Sequence, residues 1–469
     1  MTLLGPKLAA ARAAGVVSRR AGRGATSLPG KVLMLLDPHA IGALAGRLPQ
    51  GSAVISATNG KTTTAAMVAA IVRRTGRTLV HNRAGANMAG GVATTLLDAA
   101  RRGGGIAGDA GLFEVDEFWL DRLVPELHPR ALLLGNLFRD QLDRFGELET
   151  IADRWADVVV AADDTTLVLN ADDPLVADLG RARPPFADAS RDGHAAPVLY
   201  FGVEDPSMSL PGLQHAADSK HCRRCGAPYR YDLAFLGHLG HYHCDTCGQT
   251  RPAPQVAAER VVLDGVRGAR VTMRTPAGTI DVRLPLPGLY NVYNALGAAA
   301  LTLALGATTE DIAAGLESVS AAFGRAETVP IAGRDLLLLL VKNPAGANEV
   351  LRTLALEDGA HDVLAVLNDL TADGRDVSWI WDADFEVLAD RLRHVTCSGT
   401  RAAEMALRLK YAGVPEDRLT VEPSLGAALD RAVAAAHDGG RVVAIPTYTA
   451  MLELRRLLVD RGVAGSSFA

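Results

Sequence analysis

Lys61 stands in the run Ser56-Ala57-Thr58-Asn59-Gly60-Lys61-Thr62-Thr63-Thr64. These residue types can hold a chain of phosphates. Gly60 lets the backbone come close to an anion, and the amides at a helix start point partial positive charge at it. A lysine in that place reaches the outer phosphates of ATP, and the neighbouring Thr62 hydroxyl can ligate magnesium. Thr58, Asn59 and Thr63 complete the cradle. The general two-glycine phosphate-loop pattern is not met, because Ile55 stands where the first glycine belongs.

A second constellation lies further on. Cys222-x2-Cys225 is followed after 18 residues by Cys244-x2-Cys247. Each pair can present two thiolates from one knuckle, and two knuckles close a tetrahedral Zn2+ site. Four thiolates leave no open coordination position, so the zinc is expected to be structural. His221, His241 and His243 are near but not needed as ligands. The fifth cysteine, Cys397, sits in a strand-like run and reads as a small buried hydrophobe. Five cysteines, four of them in a metal pattern, do not make a disulfide scaffold, and a cytoplasmic location is expected.

These residues need elements to position them. Residues 54–56 read as a short buried strand and 62–74 as the helix behind the loop. Apolar runs recur at 111–115, 131–134 and 166–169, separated by helical stretches. That alternation predicts an α/β fold with a parallel sheet and crossover helices. The pattern breaks at 206–219 and enters the cysteine-rich stretch. Residues 261–284 alternate like strands, and 291–305 read as a helix. After Glu327 the pattern restarts, with strands expected at 335–341, 363–367, 394–398 and 441–445 and helices at 402–411 and 425–437. The expected organisation is a basic N-terminal arm over 1–48 and a central ATP-binding domain over 49–327 with a zinc-ribbon insertion at about 207–256. A Rossmann-like C-terminal α/β domain over 328–469 completes it.

Composition is that of a water-soluble globular chain: of 469 residues, 48% are hydrophobic and 22% charged. A net charge of -5 argues against bulk electrostatic binding to nucleic acid. No apolar run reaches the ~18 residues of a membrane span. The start carries Lys7, Arg12, Arg19, Arg20, Arg23 and Lys31 with no acid before residue 32. It reads as a solvated arm, with peripheral attachment to the cytoplasmic membrane face as the further reading.

In order along the chain, residues 58–64, Asn82 with Gly85 and Asn87, Glu114-Val115-Asp116, Asn136 with Asp140 and Asp143, 170–173, Asn291 with Asn294, and Gly324-Arg325 resemble the Mur ligases and folylpolyglutamate synthases. The resemblance implies ATP-dependent joining of a carboxylate to an amine through an acyl phosphate. It implies that Glu114 holds a second Mg2+ between the γ-phosphate and the acceptor carboxylate. It also implies that Asn291 and Asn294 contact adenine and that Arg325 reaches the phosphates. Two departures stand out: there is no lysine between Lys61 and Lys220 to be carbamylated, and Gln141 replaces a histidine.

The segments 341–348 and 368–382, with the cysteine insertion and Leu28-Pro29-Gly30, resemble the MurT family, ligase subunits of lipid II isoglutaminyl synthases. That implies a heterodimer with the glutamine amidotransferase subunit GatD. It also implies amidation of the α-carboxylate of D-glutamate in the lipid II stem peptide to D-isoglutamine. Asp376 would complete the partner's glutaminase triad, with Asp369 and Asp373 as competing carboxylates and Trp379 and Trp381 as interface anchors. An amino-acid-adding ligase acting alone is the alternative.

Overall fold

The computed structural model describes residues 4–20, 27–82, 85–101, 105–140, 148–181, 183, 196–215, 217–319, 325–436 and 440–464. Strands β1 (Ser52–Ser56), β2 (Leu79–His81), β3 (Ala110–Glu114), β4 (Ala131–Leu134), β5 (Thr166–Asn170) and β6 (Val198–Val203) pair in parallel. Strands β7 (Arg230–Leu236) and β8 (Leu239–His243) form a separate hairpin. Strands β9 (Val256–Leu263), β10 (Ala269–Thr275) and β11 (Gly278–Leu284) extend the first sheet, the last two antiparallel. The order is β11-β10-β9-β6-β5-β4-β1-β3-β2. Winding reverses at β1, so the loop after it faces the crevice at a topological switch point.

Every residue of β1 and β4 is buried, as expected of parallel strands covered on both faces. Alternate residues serve opposite faces. Ala53, Ile55, Leu112 and Leu133 pack beneath the helices Lys61–Arg74 and Leu289–Ala304. Val54, Phe113, Leu132 and Leu134 pack against Ala89–Ala99, Leu120–Leu127 and Leu148–Ala161.

The second sheet comprises β12 (Arg325–Ile331), β13 (Arg334–Leu339), β14 (His361–Val366), β15 (Leu392–Ser398), β16 (Leu419–Val421) and β17 (Arg441–Pro446). Its order is β12-β13-β17-β14-β15-β16, parallel except for β12. The four strands anticipated from apolar runs are β13, β14, β15 and β17. The unanticipated β12 and β16 are the sheet edges, where burial on both faces is lost and no apolar run is required.

The N-terminal segment is not a solvated arm. Leu4–Arg20, Leu28–Leu36 and Ala40–Ala45 are helices, and Leu8, Ala11, Leu33 and Leu44 enter the main core. Two of the bases have local partners: Arg12 donates to the carbonyls of Leu97 and Ala100, at the C-terminus of Ala89–Ala99, where a cation suits unpaired carbonyls. Lys7 pairs with Asp37 at 3.0 Å. Gly30 allows two helices to touch. Its amide donates to Thr94 Oγ1 at 2.9 Å, and a Cβ there would run into the Gly90 carbonyl. No helix among the described residues is long and apolar enough to cross a membrane.

Because the obstacle at Gly30 is backbone, Gly30→Ala forces two helices apart. The expected loss is about 1–3 kcal/mol, read as a lower urea midpoint with an unchanged slope; an unchanged midpoint would refute the close packing.

Candidate functional site

The loop after β1 is held from three sides. Gly60 has φ +90°, and a Cβ on it would strike Asn294 Oδ1, so glycine is required for conformation and for space. Asn136, just past β4, clamps the loop: its carbonyl accepts from Thr58 N at 3.0 Å, its Oδ1 from Asn59 N at 2.9 Å, and its Nδ2 donates to the Asn59 carbonyl at 3.0 Å. Phe138 N donates to Thr58 Oγ1 at 3.1 Å. The helix Lys61–Arg74 has no capping side chain and no acid in its first turn, leaving its positive end available to an anion.

Lys61 Nζ donates to the Ala57 carbonyl and pairs with Glu117 Oε2 at 2.7 Å. Burial alone would lower the lysine pKa, but Glu117, and after it Asp116 and Asp140, raise it above its ordinary value. Burial would likewise raise Glu117, yet Lys61 and Lys342 hold it below the usual carboxylate range. Asp116 is pushed up by burial and by Glu117. The lysine is thus fully charged and neutralised internally. An ATP phosphate can take over from Glu117.

Thr62 Oγ1 donates to Glu114 Oε2 at 2.9 Å. Glu114 is buried at the end of β3, with His81 Nε2 3.7 Å from its other oxygen. Its backbone is fixed by Asn82, which accepts from Glu114 N and donates to the Glu114 carbonyl, both at 2.8 Å. A hydroxyl and a carboxylate so placed are hard oxygen donors that fit Mg2+. Asn291 and Asn294 are both buried and bonded to each other at 3.1 Å. Asn291 donates to the Pro287 carbonyl at 2.7 Å, and Asn294 Oδ1 accepts from Thr64 Oγ1 at 3.3 Å. They brace the inner side of the loop. Arg325 opens β12, but its side chain lies outside the described residues, as do Gly324, Gln141 and Asp143.

The C-terminal unit supplies groups that sequence reasoning missed. Lys342, after β13, pairs with Asp140 and donates to the Thr58 carbonyl at 3.2 Å. Asn343 donates to Asn59 Oδ1 at 3.0 Å and caps the helix Pro344–Ala355 through Gly346 N. The signal was present: asparagine before proline is a helix-start pattern, and a lysine before it stands at the helix's positive end. Glu117 was missed because an acid after Glu114-Val115-Asp116 has no distinguishing spacing.

The four cysteines come together. Their Sγ atoms all lie within 4.8 Å of one another, with Cys222–Cys247 and Cys225–Cys244 at 3.5 Å. A tetrahedral zinc with bonds of about 2.3 Å needs sulfurs about 3.8 Å apart, so the donor set fits. The two knuckles match: Gly226 N and Gly248 N donate back to the carbonyls of Cys222 and Cys244. His243 pairs with Asp232 and Asp245 instead. Cys397 is buried in β15.

Asp376 belongs to a separate region, and no described contact joins it to the phosphate loop. It is exposed, and its Oδ1 accepts from Ser378 N at 2.8 Å, which keeps its pKa below the ordinary value. Asp373 is buried and engaged with Thr449. Asp369 accepts from Thr400 Oγ1 at 2.7 Å. Trp381 is 49% exposed, its ring 5.8 Å from that of the 70% exposed Tyr411.

If the cluster holds metal, purified protein contains about one zinc per chain. Cys222→Ser is then expected to lower zinc content and the thermal midpoint together. Full stability in a metal-free chain would contradict this.

Residues 55–205 match the family model Mur ligase middle domain, and residues 340–451 match MurT ligase C-terminal. Among solved structures, a pseudomurein peptide ligase type C from Methanothermus fervidus superposes with TM-score 0.65 at 22% identity, covering 89% of this chain and 80% of that one. MurF ligase from Thermotoga maritima, in complex with ADP, superposes with TM-score 0.61 at 14% identity over 91% and 84%. The lipid II isoglutaminyl synthase (glutamine-hydrolyzing) subunit MurT of Streptococcus pneumoniae is 33% identical over 97% of both chains. With that identity along almost its whole length, on a Mur ligase fold, the chain belongs to the MurT family.

Proposed function

We propose that this chain is the ATP-dependent ligase subunit of a lipid II isoglutaminyl synthase. It converts the α-carboxylate of D-glutamate in the stem peptide to an amide, with ammonia delivered by a glutaminase partner, GatD. The observation that carries the reading is the meeting of Lys61, Thr62, Glu114 and Lys342 around one loop. Two anions, the γ-phosphate and a carboxylate, must be brought into contact there, and the barrier is their mutual repulsion.

In this reading Lys61 exchanges Glu117 for the outer phosphates, and the first-turn amides bind the phosphate chain. Lys342 adds a second cation from the C-terminal unit. Thr62 and Glu114 would hold magnesium, which would supply charge neutralisation for the transfer. Asn291 and Asn294 form the inner wall of the nucleotide site, and Arg325 a further phosphate contact. A carboxylate oxygen attacks the γ-phosphorus and ADP leaves. Ammonia then attacks the acyl carbon, phosphate departs with its oxygen, and the nitrogen loses a proton. The cysteine cluster is a structural zinc ribbon.

Ammonia at neutral pH is mostly protonated, so a partner that releases it beside the acyl phosphate solves the supply problem. The fifth cysteine, Cys397, is buried in a strand and its thiol is pushed up to about 12 by burial, which unsuits it as a nucleophile. Asp376 is the exposed carboxylate among the three candidates, held ionised by its bond from Ser378 N and five residues before the half-exposed Trp381. It can orient a partner histidine that activates a partner cysteine.

Two outcomes are expected. Lys61→Ala removes ATP turnover by at least about 10²-fold and, by leaving Glu117 buried without its cation, costs about 3 kcal/mol of stability. Adding Glu117→Ala restores stability but not turnover; turnover in either folded variant would defeat the lysine's assignment. In the complex, Asp376→Asn abolishes glutamine-driven amidation while ammonium-driven amidation persists. Unimpaired glutamine hydrolysis in an assembled complex would reject the role of Asp376.

A further inference from the structure

The hairpin β7–β8 carries the cysteine knuckles at its open end and buries its tip elsewhere. A seven-residue strand spans roughly 20 Å, so the tip lies far from the sulfurs. At the tip is His238, fully buried, its ring 4.7 Å from that of Phe138. Gly237 makes the turn with φ +57°, and a Cβ on it would meet Phe138 at 2.8 Å. His238 Nε2 is 3.4 Å from Asp173 Oδ2, a carboxylate that is itself fully buried. The same Oδ2 accepts from Leu137 N at 2.8 Å, and Oδ1 caps the short helix Pro174–Ala177.

Leu137 lies between the two residues that hold the phosphate loop: Asn136 clamps Asn59, and Phe138 N binds Thr58. We propose that His238 is a positioning residue of the nucleotide site. It compensates Asp173 and packs on Phe138, so the segment 136–138 is held against Thr58 and Asn59. Because β7 and β8 run from the cysteine pairs to this tip, metal at the open end is expected to order the hairpin and so to raise nucleotide affinity. Asp173 is a desolvated carboxylate at the base of the loop clamp; three backbone amides donate to it, and His238 supplies the cationic partner. Burial would lower the His238 pKa, but Asp173 raises it, as this pairing requires. The hairpin is anchored on both flanks, since Gly240 N donates to the Asp172 carbonyl at 3.0 Å and Arg352 donates to the Phe235 carbonyl at 2.8 Å.

The inference rests on residues 58–64 being the nucleotide loop. The test is titration of the full-length chain with Mg·ADP, with zinc content and thermal midpoint measured in parallel. His238→Leu is expected to raise the Mg·ADP Kd about tenfold, within the range of site-to-site couplings, at unchanged zinc content. His238→Gln, which keeps a donor where Nε2 was, is expected to stay within about threefold of wild type. Stripping metal from the wild-type chain with a chelator is expected to raise the Kd as His238→Leu does, whether or not that variant folds. A wild-type Kd in folded His238→Leu, or in the stripped chain, overturns the coupling. Absence of Mg·ADP binding by the intact wild type instead overturns the nucleotide loop itself, and this inference with it.

Discussion

A largely buried lysine at the start of a helix, neutralised by carboxylates, is the interaction on which the rest of this structure depends. Lys61 must remain charged in a nearly water-free place, and burial alone opposes that. Glu117 at 2.7 Å, with Asp116 and Asp140 beyond it, keeps the charge in place. The same low-dielectric surroundings that make the lone cation costly make its attraction to a phosphate large. In the proposed function the site therefore holds an anion receptor in a neutralised form, and phosphate binding exchanges one anion for another.

That exchange needs a loop of fixed shape, and much of the chain serves to fix it. Asn136 holds Thr58 and Asn59 just before Gly60, Asn294 backs the glycine, and Asn82 pins the strand end that carries Glu114. The C-terminal unit contributes directly, because Lys342 and Asn343 contact Thr58 and Asn59 across the two sheets. Placement of the second sheet is thus part of the loop's geometry. The cysteine hairpin approaches from behind through His238, while Arg352 holds its backbone from the C-terminal side. One loop gathers direct contacts from both sheets' segments and is backed by the hairpin through Phe138.

Much of this was legible in the residues. The loop, the clustering of the four cysteines and the strands β1, β3, β4 and β5 announce themselves through glycine, spacing and short apolar runs. Those signals are local, set by backbone geometry or by burial on both faces. Glu117 and Lys342 were not legible as partners, since their meaning comes from which loop they face after folding. The N-terminal segment misled for a related reason. Its bases look solvated in sequence, whereas Arg12 caps a helix end and Leu8 and Leu33 lie in the core. Its apolar residues are spread among alanines and bases, so hydrophobic periodicity was faint. His238 gave no signal at all, because a lone histidine in a turn has no pattern until Asp173 and Phe138 surround it.

The central claim is that the loop activates a carboxylate by phosphorylating it. Its most direct measurement is isotopic. The complex would be supplied with ATP, ammonium and a lipid II substrate whose D-glutamate α-carboxylate carries oxygen-18 at both oxygens, and the released phosphate examined by mass spectrometry. The account predicts that each phosphate formed with an amide carries one labelled oxygen, because the acyl carbon–oxygen bond breaks when ammonia attacks. Amide formation accompanied by unlabelled phosphate would contradict it.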